Sequence, residues 1–224
     1  MKHGKKYLEA LKKYDAQAVL DLNSAVETVK KLAFAKFDET VDLSVKLNLK
    51  KSQSVRDTVV LPHQFRGEKK ILVFCKAEKE KEAQEAGAAF VGAEDLIEKV
   101  RGGWLDFDIA VATPDMMKDV GKLGMVLGRK GLMPNPKTGT VTFDLKGALA
   151  ELKKGRTEFR ADKTGVIHLA VGKVSMDGAA IAENASTVLA EIKRKRPADA
   201  KGDFVQTISL ASTMGPGVWV KVEA

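Results

Sequence analysis

The sequence predicts a protein of mixed α/β and α+β class, and three observations support this prediction. Residues 37–49 alternate apolar and polar side chains, which is typical of a strand with one face on a core and the other in solvent. Residues 71–75 and 109–112 are short apolar runs between charged helical stretches, which indicates parallel strands buried on both faces. Beyond Gly155 the sequence returns to strand patterns.

We therefore expect two domains, one of them discontinuous in sequence. Residues 1–66 and 156–224 would form an α+β domain, and residues 67–155 would form an α/β domain inserted into it. The two crossings between these domains, near Arg66-Gly67 and Gly155-Arg156, would lie side by side and could act as a hinge.

The individual elements follow from periodicity and from turn residues. Residues 1–36 are predicted to be helical because leucine, alanine and valine recur there at spacings of three and four. Asn23 or Ser24 followed by Glu27 predicts a helix start of the capping-box kind. The further predicted strands are 55–61, 71–75, 90–91, 109–112, 157–161, 166–171, 204–212 and 218–222, and the further predicted helices are 78–86, 94–100, a turn from Pro114, and 177–195.

Composition and charge exclude several classes of protein. The chain has 224 residues, 44% hydrophobic and 30% charged, which is globular composition. Its apolar runs are far shorter than the roughly 20 residues that span a bilayer, and no signal peptide is visible, so we expect a cytoplasmic protein without membrane contact. A single cysteine excludes an internal disulfide framework.

The positive charge is concentrated in the discontinuous domain. The chain carries 38 basic and 30 acidic residues, a net charge of +8. Residues 1–66 have a net charge of +5 and residues 156–224 one of +2, whereas residues 67–155 have only +1. This placement favours a polyanionic partner for the discontinuous domain.

Nothing in the sequence indicates catalysis, a cofactor or a metal. The histidines, His3, His63 and His168, are too scattered for a local metal site, and Cys75 lies inside an apolar strand where a buried, inert thiol is expected. Glycines and basic residues alternate over 120–132 and could cradle a phosphate, but their spacing matches no nucleotide-binding motif. A nucleotide-dependent enzyme built on the insert is therefore the weaker alternative, and a basic scaffold that binds only proteins is a third.

Candidate contacts with nucleic acid lie at strand ends of the discontinuous domain. Lys36 and Phe37 precede a strand, where the ring could either stack on a base or pack in the core. Residues 160–165 and 212–217 link strands and could be simple turns or contact loops. The basic cluster 193–196 ends a helix and is explained by the helix dipole alone.

Six motifs resemble, in the same order and over essentially the whole chain, the universal L-one family of large-subunit ribosomal proteins. They are AKFDETV from Ala35, LPH from Leu61, AVATPDMM from Ala110, GLMPNPKTGTV from Gly131, FRADKTGVIH from Phe159 and STMGPG from Ser212. The resemblance implies that the discontinuous domain binds RNA and that the insert is Rossmann-like.

The resemblance further implies a function and a set of site residues. Its bacterial members belong to the large ribosomal subunit, bind its RNA to form a mobile side stalk, and assist release of deacylated tRNA from the exit site. Many also bind their own messenger RNA and repress its translation. Carried over to this chain, the RNA-binding residues would be Lys36, Phe37, Thr40, Asp162, Lys163, Thr164, Ser212, Thr213, Met214 and Gly215.

Four positions depart from the pattern of the family. Asp57 and Gln64 replace usual glycines, and Ala161 replaces the usual asparagine before Asp162. Where the family customarily has GPRG, this chain reads GRKG from Gly128, with Arg129 in place of the proline. The departure at Ala161 puts one side-chain contact with RNA in question.

Overall fold

In the computed structural model, the chain divides into two compact units, which are Met1–Phe65 with Thr157–Ala224, and Arg66–Arg156. Both helices and strands occur in each unit, which confirms the predicted mixed class. No helix among the described residues is long and apolar enough to cross a bilayer. The structure describes residues 4–50, 54–67, 69–197 and 202–222.

The first unit is built on a five-stranded sheet whose strands are, in spatial order, β1 (Val19–Leu20), β10 (Gly217–Val220), β9 (Val205–Ser212), β2 (Thr40–Leu47) and β8 (Val166–Lys173). β1 pairs with β10 in parallel, and the other neighbours are antiparallel. β3 and β7 form a separate two-stranded sheet. The elements of this unit are α1 (Lys5–Leu11), β1 (Val19–Leu20), α2 (Leu22–Leu32), β2 (Thr40–Leu47), β3 (Arg56–Val60), β7 (Arg156–Arg160), β8 (Val166–Lys173), α8 (Gly178–Arg194), β9 (Val205–Ser212) and β10 (Gly217–Val220).

One face of this sheet carries the core, and the other lies open. Along β2 the buried residues are Val41, Leu43, Val45 and Leu47, and they alternate with partly exposed residues, as the sequence predicts. The buried side chains of α2 and α8 join the same hydrophobic cluster, so these helices cover the inner face. The outer face keeps its polar side chains in solvent.

The second unit contains a three-stranded parallel sheet with the order β5-β4-β6. Successive residues of β4 enter two different hydrophobic clusters, with Leu72 and Phe74 in one and Ile71 and Val73 in the other. This sheet is therefore buried on both faces, as its apolar runs predict. The elements are β4 (Ile71–Phe74), α3 (Ala77–Glu85), β5 (Phe90–Gly92), α4 (Glu94–Arg101), β6 (Ile109–Ala112), a 3-10 helix (Pro114–Met116), α5 (Met117–Gly121), α6 (Gly124–Lys130), a second 3-10 helix (Pro136–Thr138) and α7 (Leu145–Lys153).

Three details differ from the sequence-based predictions. The first 36 residues hold two helices separated by the two-residue strand β1, which is too short to produce a periodic pattern. The N-cap of α2 is Asp21, so the predicted start at Asn23 or Ser24 is wrong by two or three residues. Helix α7 was not expected, although Asp144 caps it by accepting a hydrogen bond from the Gly147 N–H at 3.0 Å.

Candidate nucleic-acid interface

The first group of expected site residues gathers where β2 begins and β9 ends. There the segment that follows α2 meets the loop between β9 and β10. A buried carboxylate, that of Glu39, joins the two. Its Oε1 accepts hydrogen bonds from the backbone N–H groups of Phe34 (3.0 Å) and Ala35 (2.8 Å), and its Oε2 accepts one from that of Met214 (3.0 Å). One side chain therefore sets the positions of both segments.

The Glu39 carboxylate stays charged although it is buried. Burial disfavours its charged form and raises the pKa, but the N–H donors of Ala35 and Met214, the Ser212 hydroxyl and the Phe34 N–H together outweigh this effect. The net result is a pKa below the usual value for glutamate. The arrangement is a preorganised acceptor for backbone donors, and it does not resemble a catalytic acid.

Two further hydrogen-bonded contacts fix this end of the sheet. The Thr213 hydroxyl accepts from the Thr40 N–H at 3.0 Å and lies 3.2 Å from the Thr40 carbonyl oxygen. The Thr213 hydroxyl thus bonds the Thr40 backbone just beyond the last backbone pair of β2 and β9. On the other side, Asp38 accepts hydrogen bonds from the Ser175 hydroxyl (2.8 Å) and N–H (3.1 Å), which hold its pKa below the usual value.

Gly215 is required by close packing inside this loop. A Cβ atom at position 215 would lie 2.4 Å from the Ser212 hydroxyl oxygen, far inside van der Waals contact. Ser212 itself is buried, with 4% of its surface exposed. The Ser212 side chain therefore packs inside the loop, and it is not part of the exposed surface predicted from the sequence.

The exposed side chains of this group are apolar or basic. Phe37 is 56% exposed and Met214 is 51% exposed, and Lys36 beside the ring is also exposed. Of the two alternatives that the sequence left open for Phe37, core packing is thus wrong. We call Lys36, Phe37, Thr40, Thr213 and Met214 the upper cluster. A rigid backbone that presents an aromatic ring, a thioether and a lysine to solvent can stack on bases and reach phosphates.

The second group of expected residues lies at the opposite end of β2. Asp162, Lys163 and Thr164 form the turn between β7 and β8, and β8 begins opposite Lys46 near the end of β2. We call these three residues the lower cluster. Because β2 has eight residues, the two clusters are separated by roughly 23 Å at about 3.3 Å per residue. The structure therefore does not bring all the expected residues together at one point.

Asp162 holds the lower cluster in shape. Its carboxylate accepts hydrogen bonds from the N–H groups of Val166 and Thr164 (both 2.8 Å) and from the Thr164 hydroxyl (2.7 Å). The bond from Val166, followed by that of the Thr164 hydroxyl, lowers the pKa of Asp162. Lys46 of β2 donates to the Thr164 carbonyl oxygen. Lys163 is exposed at the tip of this turn.

The open sheet face connects the two clusters, and sequence reasoning did not include it in the site. Ser44 of β2 lies opposite His168 of β8 and Ser209 of β9, and the Ser44 hydroxyl is 3.0 Å from His168 Nδ1. Asp42 and Lys46 lie on the same face one row to either side. The polar half of the alternation in β2 was a usable signal for these residues, because the solvated face of an open sheet is available to a partner.

Two features bear on the alternatives of a metal site and a reactive thiol. The described part of the chain brings together no group of three His, Cys, Asp or Glu side chains suited to a metal ion. Cys75 is buried, and this burial raises the pKa of its thiol to about 11, so the thiol is unreactive at neutral pH.

Comparison with known proteins decides which family these features belong to. Residues 29–216 match the model of the ribosomal protein L1p/L10e family. The chain belongs to this family. Membership confirms the resemblance seen in the six motifs, and it also confirms the prediction of a non-enzymatic ribosomal protein.

Individual relatives of the L1p/L10e family match along nearly the full chain. The large ribosomal subunit protein uL1 of Treponema denticola is 68% identical over 220 residues, which is 98% of this chain and 97% of that protein. The protein of the same name from Treponema pallidum (strain Nichols) is 61% identical with the same coverage. The one from Borrelia hermsii is 58% identical over 217 residues, or 97% of each chain.

Proposed function

We propose that the protein is a structural component of the large ribosomal subunit and binds large-subunit ribosomal RNA through the open face of its five-stranded sheet. The observation that carries the proposal is the upper cluster. Phe37 and Met214 are large apolar side chains held in solvent on a backbone that Glu39 fixes from inside. Exposed apolar side chains on so well anchored a surface indicate a binding site.

The geometry supports recognition of a folded RNA by shape. Two clusters stand at the ends of a strip of hydroxyl, imidazole and amine side chains that also includes the Asp42 carboxylate. Such a surface can stack on unpaired bases at its upper end and donate hydrogen bonds to ribose 2′-hydroxyls and phosphates along the strands. Because each donor is already positioned, little conformational entropy is lost on binding.

The charge distribution supports RNA binding by one domain and a different role for the other. We propose that residues 1–66 and 156–224 form the RNA-binding domain and that residues 67–155 form an inserted Rossmann-like domain. The first domain carries nearly all of the net charge. The insert would then contribute little to affinity for ribosomal RNA and would move on its two crossings as part of the side stalk.

Two further roles belong to the same proposal. Within the side stalk, the protein would contact exit-site tRNA and assist its release. It would also bind its own messenger RNA and repress translation, using the same sheet face. If one surface serves both RNAs, ribosomal RNA and messenger RNA compete for it, so repression begins only when protein exceeds free ribosomal RNA.

Binding measurements with full-length variants test the proposal. Phe37→Ala should weaken binding to large-subunit ribosomal RNA by about 5- to 150-fold, the range for loss of one base stacked on an aromatic ring. Met125→Ala, which alters a large apolar residue of α6 that is even more exposed than Phe37, should change this affinity less than twofold. Equal affinities for all three proteins would contradict the assignment of the upper cluster to RNA binding.

A further inference from the structure

A large aromatic side chain remains exposed on the same sheet face outside the two clusters. Trp219 of β10 is 43% exposed, although its neighbours along the strand, Val218 and Val220, are buried. A half-exposed indole presents an apolar ring and a polar N–H to a partner, and for this reason Trp is enriched at interfaces. Neither the family motifs nor the upper and lower clusters include this residue.

The strand register places Trp219 in line with the proposed RNA surface. Trp219 pairs with Ser209 of β9, and Ser209 pairs with Ser44 of β2. Residues paired across a sheet point to the same face, so the indole stands in the row of Ser44. At about 4.8 Å between strands, it lies roughly 10 Å from Ser44.

We propose that Trp219 is a further RNA contact and stacks on an unpaired base of the RNA bound by the sheet face. The inference rests on the proposed function and extends its site toward the β1 edge. An indole offers a broad face for stacking and a ring N–H that can donate to a base or a phosphate. Exposed aromatics on an open sheet are well suited to hold splayed bases in this way.

The strand that carries the indole is firmly anchored. β10 is paired on both sides, with β9 and with β1. Its first residue, Gly217, accepts a hydrogen bond from the Tyr14 hydroxyl at 2.5 Å. Because this backbone is already fixed, little conformational entropy is lost when a base stacks on the ring. More of the stacking energy then appears as binding affinity.

The charge around Tyr14 favours RNA over a protein as the occupant. The exposed Lys12 and Lys13 precede Tyr14 and the exposed Asp15 follows it, so the segment that donates to Gly217 has a net positive charge that attracts phosphates. The apolar neighbour across the strand pair is Val19, which is 61% exposed. Two apolar side chains in a polar row are too few for the apolar core of a stable protein interface.

Fluorescence gives a direct test, because the chain has only two tryptophans, Trp104 and Trp219. The full-length Trp104→Phe variant reports on Trp219 alone. The probe is the fragment of large-subunit ribosomal RNA that the wild-type protein protects from cleavage. Titrating this fragment should quench the emission of the Trp104→Phe variant, saturating at the RNA concentration that saturates binding measured by filter retention.

Affinities of Trp219 variants provide the second readout. Trp219→Ala should weaken binding about 5- to 150-fold, as expected for loss of one stacked base, while Trp219→Phe should retain most of the affinity. The matched control is Val60→Ala, since Val60 is 42% exposed on β3, outside the five-stranded sheet. That variant should bind as the wild type does.

The outcomes separate this inference from the proposed function. If the protein binds the fragment tightly but neither quenching nor an affinity loss in Trp219→Ala is seen, Trp219 is not an RNA contact and the proposed function stands. If no large-subunit fragment is protected or bound, the proposed function fails and the inference fails with it. Equal losses in Trp219→Ala and Trp219→Phe, without quenching, would show a packing role instead.

Discussion

Replacing Glu39 by glutamine tests how the upper cluster is held. The carboxylate accepts three backbone N–H hydrogen bonds through its two oxygens. Glutamine keeps one acceptor oxygen, which can still serve Phe34 and Ala35. Its NH₂ group would then face the Met214 N–H, which is itself a donor, and that hydrogen bond would be lost.

The expected cost follows from typical hydrogen-bond energies. Hydrogen bonds to a charged acceptor contribute about 1.5–3 kcal/mol each and those to a neutral one about 1 kcal/mol. One is lost and two become neutral, while the amide avoids the cost of burying a charge. We therefore expect Glu39→Gln to lower the free energy of unfolding of the first unit by about 2–4 kcal/mol, and to weaken RNA binding because the Met214 loop loses its anchor.

Urea unfolding at neutral pH measures this change. The midpoint should fall by about 1–2 M for a urea dependence near 2 kcal/mol per molar. The control is Glu27→Gln, whose side chain is exposed and 3.7 Å from Lys31, so its midpoint should hardly change. An unchanged midpoint and unchanged RNA affinity in Glu39→Gln would refute the role given to this carboxylate.

The pH dependence supplies an independent check. The pKa of Glu39 is lowered in the folded protein, so the unfolded chain binds its proton more readily. Stabilisation by this group is therefore complete above the usual glutamate pKa of about 4.3 and is lost as the pH falls through the lower, folded-state pKa. The difference between wild type and Glu39→Gln should shrink over that acidic range.

Four more variants probe the two clusters and the loop that carries Met214. Gly215→Ala should destabilise the loop by about 1–3 kcal/mol and weaken RNA binding, and adding Ser212→Ala, which removes the atom 2.4 Å from the new Cβ, should restore much of both. Met214→Asp should leave the melting temperature unchanged, since the side chain is exposed, but reduce RNA affinity at least about 100-fold in filter binding if that loop is buried against RNA. The lowered pKa of Asp162 predicts a melting temperature that falls on acidification through this pKa, and Asp162→Asn should remove that part of the pH dependence in calorimetry.

Much of the fold could be predicted from the sequence because periodicity reports burial. The alternation in β2 and the apolar runs of β4 and β6 carry direct information on which faces are covered. Elements whose formation depends on distant partners were missed. β1 has only two residues, and it is a strand because it pairs with β10. No local sequence pattern indicates this pairing.

The site was predictable in its parts but not in its arrangement. The motifs around Phe37, Asp162 and Met214 predict which loops contact RNA, yet only the strand register shows that these loops lie at opposite ends of β2. The role of Glu39 depends on a donor 175 residues away, at Met214. Ser212 and Thr213 are neighbours in sequence, but Ser212 is the buried last residue of β9 whereas Thr213 is exposed in the loop that follows.

The Asp57 departure from the family pattern has a structural explanation. Its carboxylate lies 2.5 Å from the Lys195 amine, so the carboxylate in place of a usual glycine is paired with the end of α8. Ala161 is buried and its N–H donates to the Val55 carbonyl oxygen at 2.8 Å. Arg129 lies in the last turn of α6, where a basic side chain interacts favourably with the helix dipole.

Footprinting of the full-length protein on large-subunit ribosomal RNA tests the central claim most directly. We predict one compact protected region that requires a higher protein concentration in Phe37→Ala and is lost in Met214→Asp at the lowest concentration that saturates the wild type. Its affinity should fall with salt as expected for a few phosphate contacts, at about 0.9 or less per phosphate on logarithmic axes. Uniform weak protection along the RNA, with a slope near ten and no effect of either variant, would contradict it.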